Sequence, residues 1–136
     1  MLFTKKVDYS IRAIVYLSTK DNNKPIYLRE ISEAKGISRQ FLAKIFPDLM
    51  RQGLVKSFRG IQGGFMLAKP PSEITLSDII QAVRGPIAIS KCLQKEQQCD
   101  LDKTCKIQDI WKKAQENLME VLDRTTIADL TGDQST

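Results

Sequence analysis

Two helical periodicities separated by one short turn constrain this chain more than any other feature. Leu28, Ile31 and Ala34 fall on one helical face, and Gly36 closes that short helix. Ser38 caps a second helix, whose apolar face is Phe41, Leu42, Ile45, Phe46 and Leu49. Helices joined by so short a turn, with Gly inside it, make a helix-turn-helix unit. Pro47 lies within the second periodicity and removes a backbone donor, so it is expected to kink that helix or end its regular part. Gly53 ends the segment. Leu54-Val55-Lys56-Ser57-Phe58 then alternates as a strand does, and Phe65-Met66-Leu67 follows as its partner. Arg59-Gly60-Ile61-Gln62-Gly63-Gly64 between them is a glycine-rich hairpin tip.

The flanking sequence supplies further elements. Val7, Ile11, Ile14, Val15 and Ser18 recur at helical steps, predicting a helix over 5–20. Ile26-Tyr27 reads as a short strand. Ser77-Asp78 begins another helix containing Ile79, Ile80 and Val83, which Gly85-Pro86 stops. Residues 87–105 read as a loop holding all the cysteines. Ile107, Trp111, Ala114, Leu118 and Val121 then form a heptad-like seam on a helix of about 18 residues. The fold class that follows is mainly α with a small β-hairpin. Residues 1–71 form a winged helix-turn-helix region and 72–136 a cysteine loop and long helix, in one integrated domain. A chain of 136 residues buries enough surface for such a core without disulfide staples.

Charge divides the chain. Residues 1–70 carry 13 Lys+Arg against 5 Asp+Glu, whereas residues 71–136 carry 8 against 11. A basic half points to a polyanion, though a solvated basic surface has the same composition. In a winged helix-turn-helix the second helix enters the major groove with its first turn on base edges. Here that turn presents Ser38, Arg39 and Gln40, with Lys44 one turn further on. Arg suits two acceptors on guanine and Gln two positions on adenine. Arg59, among glycines that let backbone approach a surface closely, suits a minor groove. The plainer reading of those glycines is a tight hairpin turn. Histidine is absent, which removes the usual general base, and no partner for a cysteine nucleophile is recognisable, so the chain reads as a non-enzyme. No apolar run is long enough for a membrane span, and the first residues lack a signal-peptide core, so a cytoplasmic location is expected.

Cys92, Cys99 and Cys105 have the spacing Cys-x6-Cys-x5-Cys in a polar stretch, which argues against a core role. Three converging thiolates repel unless a cation or cluster neutralises them. Soft thiolates favour an iron–sulfur cluster, zinc or Cu(I); a redox disulfide with a spare thiol, or three unrelated thiols, are the alternatives.

The residues resemble the Rrf2 family of bacterial transcription regulators over nearly the whole chain. The resemblance is carried by Asp8-Tyr9-Ser10-Ile11-Arg12-Ala13, by Ile31-Ser32-Glu33 with Gly36-Ile37-Ser38, and by Leu49 to Val55. The wing from Ser57 to Phe65 is its most specific stretch. Ile74-Thr75-Leu76, the three cysteines, Trp111 and Ile127-Ala128-Asp129-Leu130 complete it. It implies a homodimer held by a long helix over 106–123, binding double-stranded DNA at a pseudo-palindromic operator. Ser57, Arg59, Gly60, Gly63 and Gly64 of the wing join Ser38, Arg39, Gln40 and Lys44 as expected DNA contacts. It also implies an iron–sulfur cluster on Cys92, Cys99 and Cys105 whose state alters DNA affinity. The family's cluster-assembly regulator adds a His after the third cysteine, and this chain has Gln108 in that neighbourhood. The chain looks closer to nitric-oxide-sensing members, in which an Asp from the first helix of the other subunit completes a [4Fe–4S] site; Asp8 holds the matching position. A helix N-terminal acid is its ordinary alternative. The recognition-helix glutamate that tunes base choice in some members is Ala43 here.

Overall fold

A computed structural model of the chain describes residues 4–20, 24–61, 63–88 and 106–131. The element order is α1 (Lys5–Ser18), α2 (Leu28–Lys35), α3 (Arg39–Arg51), β1 (Val55–Phe58), β2 (Gly64–Leu67), a 3-10 turn (Pro71–Glu73), α4 (Leu76–Arg84), α5 (Lys106–Arg124) and α6 (Ile127–Thr131). β1 and β2 pair antiparallel, with Val55 opposite Leu67 and Phe58 opposite Gly64. The fold is therefore helical with one small hairpin, the architecture of a winged helix-turn-helix with a long helix after it.

α2 ends at Gly36, whose φ of +67° only glycine adopts freely, and its N–H donates to the Ser32 carbonyl at 2.9 Å. α3 ends in a Schellman arrangement. The Gly53 N–H reaches the Met50 carbonyl at 2.9 Å, and the Leu54 N–H reaches Leu49 at 3.0 Å. Leu49 and Leu54 are both buried, so the turn into β1 carries its own apolar contact.

α1, α2, α3, α4 and the start of α6 share one core. Ile14, Ile31, Leu42, Ile45, Phe46, Leu49, Ile79 and Ile127 are all essentially inaccessible. Phe46 of α3 meets Phe65 of β2 edge-on at 4.6 Å, which fixes the hairpin's base against α3.

Several expectations need correction. α1 ends at Ser18 rather than residue 20, because the Ser18 and Thr19 hydroxyls take the Val15 and Tyr16 carbonyls at 2.6 and 2.8 Å. Its buried face is Val7, Ser10, Ala13, Ile14 and Leu17, rotated from the predicted stripe, which Ile11, Val15 and Ser18 only border. Ser10 is tolerated there because its hydroxyl donates to the Lys6 carbonyl at 2.6 Å. Ile26 makes one bridge to Phe65 rather than a strand with Tyr27, and Ala34 is exposed. Pro47 does not end α3. It and Ala43, whose carbonyl loses a donor, lie on the exposed side, where water can replace that bond. α4 begins at Leu76 rather than at Ser77-Asp78. Thr75 is its N-cap, in a capping box with Asp78 whose two bonds are each 3.0 Å. Thr126 and Asp129 repeat that box at α6. The two N-cap residues form an antiparallel bridge, flanked by Leu76 N–H to Thr125 at 3.0 Å and Ile127 N–H to Ile74 at 2.9 Å.

Candidate nucleic-acid interface

Helix α3 is positioned by its buried stripe, so the residues off that stripe face outwards. Ser38 has extended backbone, and its Oγ accepts from the Phe41 N–H at 3.1 Å, closing the first turn. Arg39, Gln40, Ala43 and Lys44 are exposed on the turns that follow. β1 leaves the core after Val55, so Lys56, Ser57 and Phe58 are exposed, as are Arg59 and Gly60 at the tip.

Between these two surfaces lies an open groove of about 850 Å³. Arg39, Gln40 and Ala43 form its α3 wall, and Ser57, Gly60, Gly63 and Gly64 belong to its wing wall. Ser38, Lys44 and Arg59 are exposed but lie outside its lining. The groove therefore brings together six of the nine expected DNA contacts. The sequence reading missed Tyr27, Leu28 and Arg29, which close the groove from the start of α2, and Phe58 and Phe65 from the hairpin. Arg29 carried a signal: Ile31 must face inwards, so a residue two positions earlier faces out. Tyr27 carried none, because its role depends on where the hairpin folds back.

The groove's charged lining residues are Arg29 and Arg39, with no carboxylate among them. Among the described residues, Arg29, Arg39, Lys44 and Arg59 form no ion pair. Their charges are thus available to phosphates, while Lys6 and Arg51 are engaged with Asp48.

The wing glycines have packing reasons of their own. Gly60 has φ of +102°. A Cβ on Gly63 would lie 2.5 Å from the Phe58 carbonyl oxygen, and one on Gly64 would lie 2.6 Å from the Ile26 backbone. The tight hairpin and its seating on the body account for these glycines.

Cys92, Cys99 and Cys105 lie outside the described residues, as does Gln62 of the wing. Asp8 is exposed in the first turn of α1, where its Oδ2 accepts from the Arg12 Nε–H at 2.9 Å. Such an exposed pair contributes little to stability, about 1 kcal/mol at most. Among the described residues no group of three His, Cys, Asp or Glu side chains is placed to hold a metal. No helix among the described residues is long and apolar enough to cross a membrane.

Residues 3–133 match the family model of Rrf2, described as an iron-dependent transcriptional regulator. The chain is 30% identical to the HTH-type transcriptional regulator NsrR of Bacillus licheniformis over 135 residues, covering 98% of this chain and 94% of that one. Its fold is similar to that of CymR, the global cysteine regulator of B. subtilis. That likeness has a TM-score of 0.80 and 31% identity, over 96% of this chain and 95% of the other. It is also similar to T. potens IscR, with a TM-score of 0.76 and 31% identity over 97% and 87% of the two chains. A basic groove between a recognition helix and a wing, on a chain matched nearly end to end, places this protein in the Rrf2 family of DNA-binding transcriptional regulators.

Proposed function

We propose that the protein is a cytoplasmic homodimer that binds a pseudo-palindromic operator, and that an iron–sulfur cluster on Cys92, Cys99 and Cys105 controls its affinity. The observation that carries the DNA part is the groove itself: α3 and the wing face one another across it, with Arg29 and Arg39 as its charged lining. Ser38, Arg39, Gln40 and Lys44 then meet the major groove, and Arg59 at the wing tip meets the adjacent minor groove. Phosphate contacts by the cations supply most of the affinity; Arg39 and Gln40 supply base choice.

The donor set supports the cluster part. Three thiolates without histidine suit an iron–sulfur cluster better than a catalytic metal, which keeps harder ligands. Asp8 is a candidate fourth ligand across the dimer, since its carboxylate is exposed and held by a weak surface pair with Arg12. The cluster would supply a group whose gain or loss changes the charge carried by residues 89–105, which follow α4 in the sequence. DNA affinity shifts only to the extent that the two states bind DNA differently. The same three thiols can instead act as a zinc or thiol-redox switch.

The test is anaerobic purification with an ultraviolet–visible spectrum and iron and sulfide counts, on the wild type and on Cys92→Ala, Cys99→Ala and Cys105→Ala. A coloured wild type with colourless variants that keep their dimeric state is expected. A colourless, iron-free wild type overturns the cluster. Zinc in that sample, or a change in DNA affinity on thiol oxidation, establishes the alternative.

A further inference from the structure

The wing is fastened to the body at two points supplied by adjacent residues. At its base, the Ile26 N–H donates to the Phe65 carbonyl at 2.9 Å and the Phe65 N–H donates to the Ile26 carbonyl at 2.8 Å. Gly64 approaches Ile26 so closely that no side chain fits between them. This seam fixes β2 but leaves the tip. Among the described residues, the tip's own hydrogen bonding consists of the Gly63 N–H donating to the Gly60 carbonyl at 3.0 Å. The second fastening comes from Tyr27, the residue that precedes α2. Its hydroxyl donates to the carbonyl of Ile61, two residues beyond Arg59. Burial does not hold Ile61 in place, because its side chain is 95% exposed.

The arrangement matters because two separate surfaces must register on one duplex. The first turn of α3 is closed by the Ser38 cap and anchored by buried Ile37 and Leu42. The hairpin tip is short and glycine-rich, with Arg59, Gly60 and Ile61 exposed, so it would lose conformational freedom on binding unless it were already held. Tyr27 reaches it from the first residue of the helix-turn-helix unit, through a stiff ring that also lines the groove. The tip is thereby set at a fixed distance from the same framework that carries α3.

We infer that Tyr27 is a positioning residue for DNA recognition: its hydroxyl holds the Arg59-Gly60-Ile61 tip in register with α3. This rests on the reading that the wing contacts DNA.

The test uses the full chain as wild type, Tyr27→Phe, Arg59→Ala and the double variant. The probe is a duplex enriched by the wild type from a random-sequence library, with affinity read by fluorescence anisotropy at one salt concentration. Hydrogen–deuterium exchange over 59–64 is read without DNA, and thermal unfolding controls for the fold. Tyr27→Phe is expected to keep its midpoint within about 2 °C while exchange at the tip accelerates. Its affinity should fall about three- to tenfold, the reach of one lost hydrogen bond. In the Arg59→Ala background the same change should cost nothing further, since the tip then has no arginine to place. Unchanged exchange overturns the clamp whatever the DNA result. Unchanged affinity, or an equal loss in both backgrounds, overturns the positioning role, the latter because the hydroxyl would then touch DNA directly. If no duplex is enriched, the DNA reading and the positioning role fail together, and exchange alone decides whether the clamp exists.

Discussion

Tyr16 shows how one side chain can tie two helices. Its hydroxyl donates to Glu30 of α2 at 2.6 Å, and Lys20 stands 4.9 Å from the ring centroid. The hydrogen bond to Glu30, then desolvation, then the Glu30 charge push the phenol from the ordinary value of 10.0 up to about 12. The fold thus favours the protonated ring. Stability from this contact is present in full below pH 10 and is lost as pH rises through about 12. An absorbance titration at alkaline pH should show a tyrosine ionising near pH 12, and Tyr16→Phe should abolish that step. Ala43 matters for the opposite reason, by what it lacks. It lies in the groove beside Arg39 and Gln40, so Ala43→Glu would set a carboxylate against incoming phosphates. DNA affinity should fall about tenfold or more, the scale of a lost specific contact, with thermal stability unchanged. Anisotropy at fixed salt measures it.

Among the elements, α3 carries both packing and the proposed DNA contacts, and the two use different faces. Phe46 fills the centre of the buried face and abuts Phe65. Phe46→Ala should therefore cost about 3–5 kcal/mol in chemical denaturation, a large share of a typical domain's stability. The helix-turn-helix and wing were legible in the sequence because each boundary is chemically marked: Gly36 and Gly53 by left-handed backbone, Ser38 by its cap, Gly60 by positive φ. What was not legible depended on partners distant in sequence. The buried stripe of α1 is set by the helices packed on it, and period alone could not choose between Leu17 and Ser18. The Thr75–Asp78 box has a local signature, but its pairing with Thr126–Asp129 spans fifty residues and needs the fold. Tyr27 belongs to the groove only because the hairpin returns to it. The cysteine spacing was plain in the sequence, yet spacing does not define what three thiols bind.

At the scale of the whole molecule, α5 leaves an apolar stripe uncovered. Ile107, Trp111 and Val121 are exposed, and Ile110 at 62% exposure widens the predicted seam. Its other side is engaged: Leu122 is buried, and Gln115 Nε2 donates to the Ile87 carbonyl at 2.6 Å. In the homodimer proposed above, a second copy would cover this stripe. Trp111→Glu should then give a monomer in sedimentation, and operator affinity should fall sharply because two linked heads bind far more tightly than one. An unchanged sedimentation coefficient would remove this helix from the interface. Another consequence follows from the bridge between the two N-caps, which stitches the start of α6 to the start of α4. Ile127 and Leu122 belong to the same buried cluster as Val7 and Phe46. The DNA-binding half and α6 would then melt as one cooperative unit, and a defect seeded in α6 would abolish transcriptional control while the side chains of the groove stayed intact.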